Sequence, residues 1–350
     1  MPDITGFTEF VNETETEHGQ HIISELLEII INSNELKMTV NEIEGDAVLF
    51  YKLEDVPTFD KILKQTVSIF TKFHQHLKRY EHDRICDCGA CSGVSALSLK
   101  IIAHTGELGF TTVNNRKKLY GKDMIVVHKL LKNDINLPEY LLLSSDLLQL
   151  LGENDESNPE LTSGVSTYDK VGSIAYHYLS LTSYLDNIKV APHQAPERVE
   201  NPSMQEIWID SAIEDVHERL TNLKYRTEWN KGLDELKYDS EKVNRRGTIH
   251  QCVINDKLID FETIKNHFNE GEMGFGERLL SLPPGIKSIT IYYSLKKDKS
   301  GTLLYNETHI VPKPIIGWLF KWIVSKVFTK TNTQVLKAFK EFCETDKVGN

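Results

Sequence analysis

Basic residues are in the minority in this sequence: 40 Lys and Arg stand against 51 Asp and Glu, a formal net charge of −11. Nucleic-acid binding asks for the opposite sign, so a polyanion-binding role is excluded as the main one. No uninterrupted apolar stretch reaches the roughly 20 residues of a bilayer-spanning helix. Asp3 and Glu9 fall where a secretory signal needs a basic and then an apolar run. A cytoplasmic location is expected, with the five cysteines reduced. What remains is ordinary for a folded protein, 40% hydrophobic and 26% charged, and 350 residues suffice for two domains with their own cores.

Hydrophobic periodicity divides the chain. From Gly6 to Ser33 apolar residues recur at helical spacing (Phe7, Phe10 and Val11, then Ile22, Ile23, Leu26, Leu27, Ile30 and Ile31), and His18 and His21 on or near that face are read as core or surface histidines. Leu36–Ile43 and Ala47–Lys52 are strand-like and meet across Glu44-Gly45-Asp46, turn chemistry in its own right. Thr58–Tyr80 returns to helix; Leu97–His104 and Glu107–Val113 are strands, Tyr120–Leu131 a helix, Tyr140–Leu143 a strand and Ser144–Leu151 a short helix. This order predicts an α+β domain over residues 1–190 with a ferredoxin-like βαββαβ core. Pro192, Pro196 and Pro202 mark residues 191–204 as a linker. Beyond it, Ile207–Asp210 is a strand and Ile213–Leu220 a helix, and five strands follow at Gly247–Ile254, Lys257–Ile264, Glu277–Leu282, Lys287–Leu295 and Leu303–Val311. Ile315–Phe342 closes a second domain, 205–346, as a long helix.

Two aspartates frame the first domain. Asp3 stands in Asp3-Ile4-Thr5-Gly6-Phe7-Thr8 and Asp46 in Glu44-Gly45-Asp46-Ala47, and a strand-end and a turn carboxylate are the set a Mg²⁺ ion takes beside substrate phosphates. With Leu99–Glu107 and, more weakly, Tyr120–Leu130, these pieces resemble in order and spacing the class III nucleotidyl cyclase catalytic domain. The resemblance implies Mg²⁺ or Mn²⁺ on Asp3 and Asp46, a nucleoside triphosphate, and a homodimer whose partner completes the site. It maps the base-reading positions onto Glu42 and Lys118, and the transition-state Asn and Arg onto Ile125 and Lys129. Isoleucine donates nothing, and lysine lacks the planar fork of arginine. Loss of one such donor costs about 10²–10³ in rate, so a degenerate, metal- or nucleotide-binding cyclase-like domain is the leading expectation, with an active cyclase as the alternative. Only Met1 and Pro2 precede Asp3, so the apolar strand expected to carry it is missing: the chain is truncated, its true start lies upstream, or the first strand is shortened.

The second domain resembles the START-like or polyketide-cyclase-like helix-grip fold, which implies a small apolar ligand between sheet and last helix. Trp229, Phe275, Tyr292, Tyr305, Trp318 and Trp322 are the expected wall residues, with simple core packing as the alternative. The last helix carries Trp318, Phe320 and Trp322 beside Lys321 and Lys326, and packing against the sheet is preferred to a membrane surface. This makes a lipid- or small-molecule-binding protein on a dimerising scaffold a further alternative. Finally, Cys86-Asp87-Cys88-Gly89-Ala90-Cys91 offers three thiols in six residues, a candidate Zn²⁺ site lacking its fourth ligand, for which His82, Cys252 or a dimer-related residue are candidates; redox or bystander cysteines are the other reading.

Overall fold

The computed structural model describes residues 1–14, 16–153, 158–190, 196–265, 271–315 and 317–345. The chain divides into two units, Met1–Glu81 with Ser92–Ala191, and His82–Cys91 with Pro192–Asn350. The short cysteine-bearing segment thus clusters with the second unit, whereas the sequence reading placed it in the first. Among the described residues no helix is long and apolar enough to cross a membrane.

In the first unit the elements run β1 (Pro2–Thr5), α1 (Phe7–Glu13), α2 (Thr16–Asn32), β2 (Thr39–Glu44), β3 (Ala47–Tyr51) and α3 (Phe59–Asp83). After α4 (Gly89–Gly93) come β4 (Ser98–Ala103), the hairpin β5 (Gly109–Val113) and β6 (Arg116–Tyr120), α5 (Lys122–Leu130), β7 (Tyr140–Ser144) and α6 (Ser145–Leu151). A second hairpin, β8 (Thr162–Tyr168) and β9 (Gly172–Ser180), ends the unit's strands. They form one sheet in the order β2-β3-β1-β4-β7-β9-β8, antiparallel except between β4 and β7, with β5–β6 apart as a two-stranded ribbon. The predicted helical stripe of α2 is its buried face, Ile22, Ile23, Leu26 and Ile30, and α3 likewise buries Phe70, Phe73 and Leu77. The helix expected over Gly6–Ser33 is two helices, because Thr14 takes an extended backbone and ends α1. Tyr120, expected to open a helix, closes β6 instead.

In the second unit β10 (Ser203–Ile209), α7 (Ile213–Thr221) and α8 (Arg226–Trp229) precede the strands β11 (Glu235–Lys237), β12 (Ile249–Ile254) and β13 (Lys257–Ile264). β14 (Glu272–Leu279), β15 (Ile286–Asp298), β16 (Gly301–Pro312) and α9 (Gly317–Thr345) follow. All seven strands are antiparallel, ordered β10-β16-β15-β14-β13-β12-β11. Alternation along β15 sends Ile291, Tyr293 and Leu295 into a core with Val216, Leu220, Trp229, Phe275, Leu304, Leu336 and Phe339. α9 is divided along its length. Its C-terminal half buries Leu336, Phe339 and Cys343, while Trp318 and Trp322 nearer its start are 66% and 62% exposed. The expectation that the whole helix packs on the sheet is corrected: in that first half Val324 and Phe328 reach the core, and Leu319, Ile323 and Val327 face outward.

One strand of this sheet carries a buried charge. The Arg226 guanidinium on α8 donates both Nη1 and Nη2 to the Glu277 carboxylate on β14, at 2.6 and 2.7 Å, with Glu277 wholly buried. His250 on β12 places Nε2 3.4 Å from Glu277 Oε1 and stacks its ring on Phe261 at 5.5 Å. Burial opposes ionisation of Glu277, but the Arg226 charge and the His250 contact outweigh it and hold the carboxyl down to about 2. A carboxyl held below its ordinary value of 4.5 stabilises the fold above that value, and the contribution is lost as pH falls from about 4.5 toward 2. Glu277→Gln is therefore expected to cost roughly 3–5 kcal/mol at pH 7, since it strands a buried guanidinium. Urea denaturation of both proteins should show that gap at pH 7 and a much smaller one at pH 3; an equal gap at both values would mean the carboxylate charge is not what stabilises the unit.

Candidate functional site

Strand register brings the two predicted metal aspartates together. Asp3 on β1 lies opposite Ala47 on one side and Lys100 of β4 on the other, and the Ile4 N–H donates to Asp46 O at 3.1 Å. Beside Asp3 stands a cation of the protein's own. Lys100 Nζ is 3.0 Å from Asp3 Oδ2 and also donates to Leu131 O at 3.2 Å. Burial, and next the charge of Asp3, raise the Asp46 carboxyl above its ordinary value; its backbone N–H and Lys100 offset this in part. Glu42 and Lys118, the predicted base-reading pair, meet in an ion pair at 3.8 Å. Glu44 Oε2 is 3.5 Å from His128 Nδ1, and Glu42, Glu44 and His128 hold their ligand atoms within 4.8 Å of one another. Ile125 is 53% exposed on α5, one turn before the half-buried Lys129.

The same unit holds a partly open cavity of about 210 Å³. Leu36, Met38, Tyr51, Ile62, Leu119 and Met124 give it largely apolar walls, and Gln65, His104 and Asp123, with Lys52, Thr66 and Thr105, supply polar ones. The first three of those polar groups are already engaged. His104 Nδ1 is 2.8 Å from Ser144 Oγ and its Nε2 3.1 Å from Asp123 Oδ1; Asp123 Oδ2 accepts the Glu107 N–H at 2.8 Å. Gln65 donates to Ser33 O and accepts from the Leu36 N–H, at 2.6 and 2.9 Å. Ser, His and Asp in this order resemble a nucleophile relay in composition only. Ser144 is 1% exposed, caps α6 by accepting from the Leu147 N–H, and is not among the cavity walls. Gly106 makes the arrangement possible, for a Cβ there would fall 2.1 Å from Asp123 Cγ.

Sequence reasoning missed Lys100 and Asp123. A lysine facing Asp3 becomes visible only once the β1–β4 register is known. Asp123 was signalled weakly, as an acidic residue in the first turn of α5.

The six wall residues expected in the second unit do not share a wall. Trp229 packs edge-on against Phe339 and Phe275 stacks on Tyr293, all within the core. Tyr292 faces the other side of the sheet, under the Arg198 guanidinium and against His309. Tyr305, opposite Ser294 in the register, shares that side, while Trp318 and Trp322 are exposed. The cysteines, by contrast, come together: the sulfurs of Cys86, Cys88 and Cys91 lie within 4.8 Å of one another.

Residues 23–140 match the model of a family described as a protein of unknown function, DUF2652. The chain is 29% identical over 162 residues to the uncharacterised protein Rv2561/Rv2562 of Mycobacterium tuberculosis, covering 46% of this chain and 74% of that one. Solved structures with some likeness include a START superfamily protein from Mycobacterium smegmatis (13% identity, TM-score 0.31, 41% of this chain and 96% of that one). A truncated norcoclaurine synthase from Thalictrum flavum gives 13% identity and a TM-score of 0.34, over 43% of this chain and 97% of that one. Likeness at this level says nothing of what the present chain binds.

Because the Asp46 carboxyl is raised above 3.8 in the folded state, its charge destabilises the fold at neutral pH, and the penalty vanishes once pH falls below that ordinary value. Asp46→Asn is accordingly expected to melt a little above the wild type at pH 7 and level with it near pH 3. Thermal melts at the two values check this; a lower melting point at pH 7 would mean that the carboxylate is needed by the fold.

Proposed function

We propose that the protein binds a small, mainly apolar molecule in the cavity of its first unit, and that it is a binding protein rather than a cyclase. The observation that carries this is the cavity itself together with the state of its walls. An apolar cavity of about 150 Å³ suffices to hold benzene, whereas drug-sized ligands occupy about 300–1,000 Å³, so the space suits a compact ligand of about ten heavy atoms. Gln65, His104 and Asp123 already hold protein partners, which disfavours a ligand that relies on hydrogen bonds from those three groups and favours a mainly apolar one. The second unit, an antiparallel sheet with short helices and a long C-terminal helix, is read as a START-like helix-grip module.

A cyclase-type metal and nucleotide site is the second reading, favoured by the convergence of Asp3 and Asp46, by the β2-β3-β1-β4 order of a ferredoxin-like core, and by the Glu42–Lys118 pair. A homodimer belongs to this reading. Against turnover stand Ile125, which offers the transition state no donor, and the Lys100 ammonium beside the carboxylate a metal would need.

Indole and n-hexanol, titrated by isothermal calorimetry, test the first reading. Saturable one-to-one binding is expected, weakened at least tenfold by Met124→Trp, which fills the cavity. Absence of binding, or binding indifferent to that substitution, would overturn it. Incubation with each ribonucleoside triphosphate and Mg²⁺ or Mn²⁺ is expected to yield no cyclic nucleotide by mass spectrometry; product that disappears in Asp46→Ala would establish the second reading instead.

A further inference from the structure

The cysteine segment is used neither by the cavity nor by the aspartate pair, and it is held in place with some care. Asp83 at its start pairs with Arg246 through the side chains and again through the backbone, the Arg246 N–H donating to Asp83 O at 2.9 Å. Arg84 bridges to Arg245, Lys265 Nζ donates to His82 O at 3.2 Å, and Ile85 is buried in the core of the second unit. From this anchored base the chain turns so that its own backbone faces its sulfurs. The Cys88 N–H donates to Cys86 Sγ and the Cys91 N–H to Cys88 Sγ, each at 3.4 Å. Such N–H···S bonds favour a thiolate, because hydrogen bonds to a charged acceptor are the stronger kind. Cys86 and Cys91 are buried and Cys88 is half-buried.

Three soft donors, mutually within 4.8 Å on a pinned segment, match the needs of one ion. A tetrahedral zinc with bonds of about 2.3 Å sets its sulfurs roughly 3.8 Å apart, within the 4.8 Å that bounds the separations here. Thiolates select zinc over the harder divalent ions that carboxylates prefer. We infer that Cys86, Cys88 and Cys91 form a structural zinc site, binding Zn²⁺ as thiolates with one coordination position left for a ligand from outside the segment. Each thiol gives up its proton to solvent as the metal binds, so no oxidant or reductant is involved. Of the fourth ligands expected from the sequence, neither His82 nor Cys252 joins the cluster among the described residues.

The full chain, purified under reducing conditions without chelator, is expected to carry about one zinc per chain by plasma mass spectrometry. Reconstitution with Co²⁺ alone is expected to give the visible bands of a tetrahedral ion and the near-ultraviolet sulfur-to-cobalt band of three thiolates. Cys86→Ser and Cys91→Ser should lose both signals. Cys88→Ser, at the half-buried position, is the variant least disturbing to the fold and should lower metal content while leaving the far-ultraviolet dichroism unchanged. Substituting the histidines one at a time would then identify the fourth ligand by the shift in the cobalt bands. Wild-type protein with no zinc and no tetrahedral cobalt spectrum overturns the site, as does zinc content unchanged by all three cysteine substitutions, or a disulfide among the three in freshly purified protein.

Discussion

Taking two charges out of water is costly, and the second unit does so at the centre of its sheet. The Arg226–Glu277 pair gains back its desolvation through bidentate geometry, and the nearby imidazole of His250 adds a further contact. The pair ties α8 to the middle of a sheet it would otherwise touch only through apolar side chains. Trp229, three residues after Arg226, is thereby set against Phe339 of α9. The helix-side face of this sheet is therefore not uniformly apolar: beside Phe275 and Tyr293 it bears a carboxylate and, one strand further, Thr263 opposite Glu277. An apolar ligand lying over β14 would have to accept those neighbours.

The first unit treats its charges differently. Asp3 is neutralised by Lys100 from the adjacent strand, a solution fixed by register alone, since residues opposite each other in a ladder share a face. A divalent ion at Asp3 must compete with an ammonium already in contact, held in turn by Leu131 O. Burial, and next the charge of Asp3, raise the Asp46 carboxyl above its ordinary value. Two carboxylates expected to hold a metal thus share their surroundings with a lysine that pairs one of them directly.

Most of the regular elements were legible because they bury a stripe or a face. The alternation of β15 and the spacing of Ile22, Ile23, Leu26 and Ile30 on α2 are direct consequences of what each covers. The β8–β9 hairpin was not legible. Its edge strand β8 is rich in Thr, Ser and Gly and largely exposed, so no apolar alternation marks it, although Ile174, Tyr176 and Tyr178 alternate along β9. β14 was placed too late in the chain because Gly274 and Gly276 interrupt its pattern. Gly276 is required there, as a Cβ would fall 2.7 Å from the Tyr292 ring. Of the sites, the local ones could be read: three cysteines in six residues are near one another in any fold. Lys100 opposite Asp3, and Arg226 opposite Glu277, are long-range pairings that no local pattern encodes.

The cavity and the cysteine segment select opposite kinds of ligand for one physical reason, the use each makes of its polar groups. Around the cavity, His104 and Asp123 bond each other and Gln65 bonds the Ser33 and Leu36 backbone, so these three groups are engaged within the protein. Binding there rests on displaced water and shape, which favours an uncharged molecule and tolerates variation in its outline. At Cys86, Cys88 and Cys91 the backbone spends N–H groups on sulfur and converges the three sulfurs on one point. That arrangement concentrates negative charge as soon as any thiol ionises, which costs free energy in a buried setting unless a cation takes it up. A fold that has anchored the segment on both backbone and side chain before the first cysteine has removed the entropy that a metal would otherwise have to overcome in gathering its ligands.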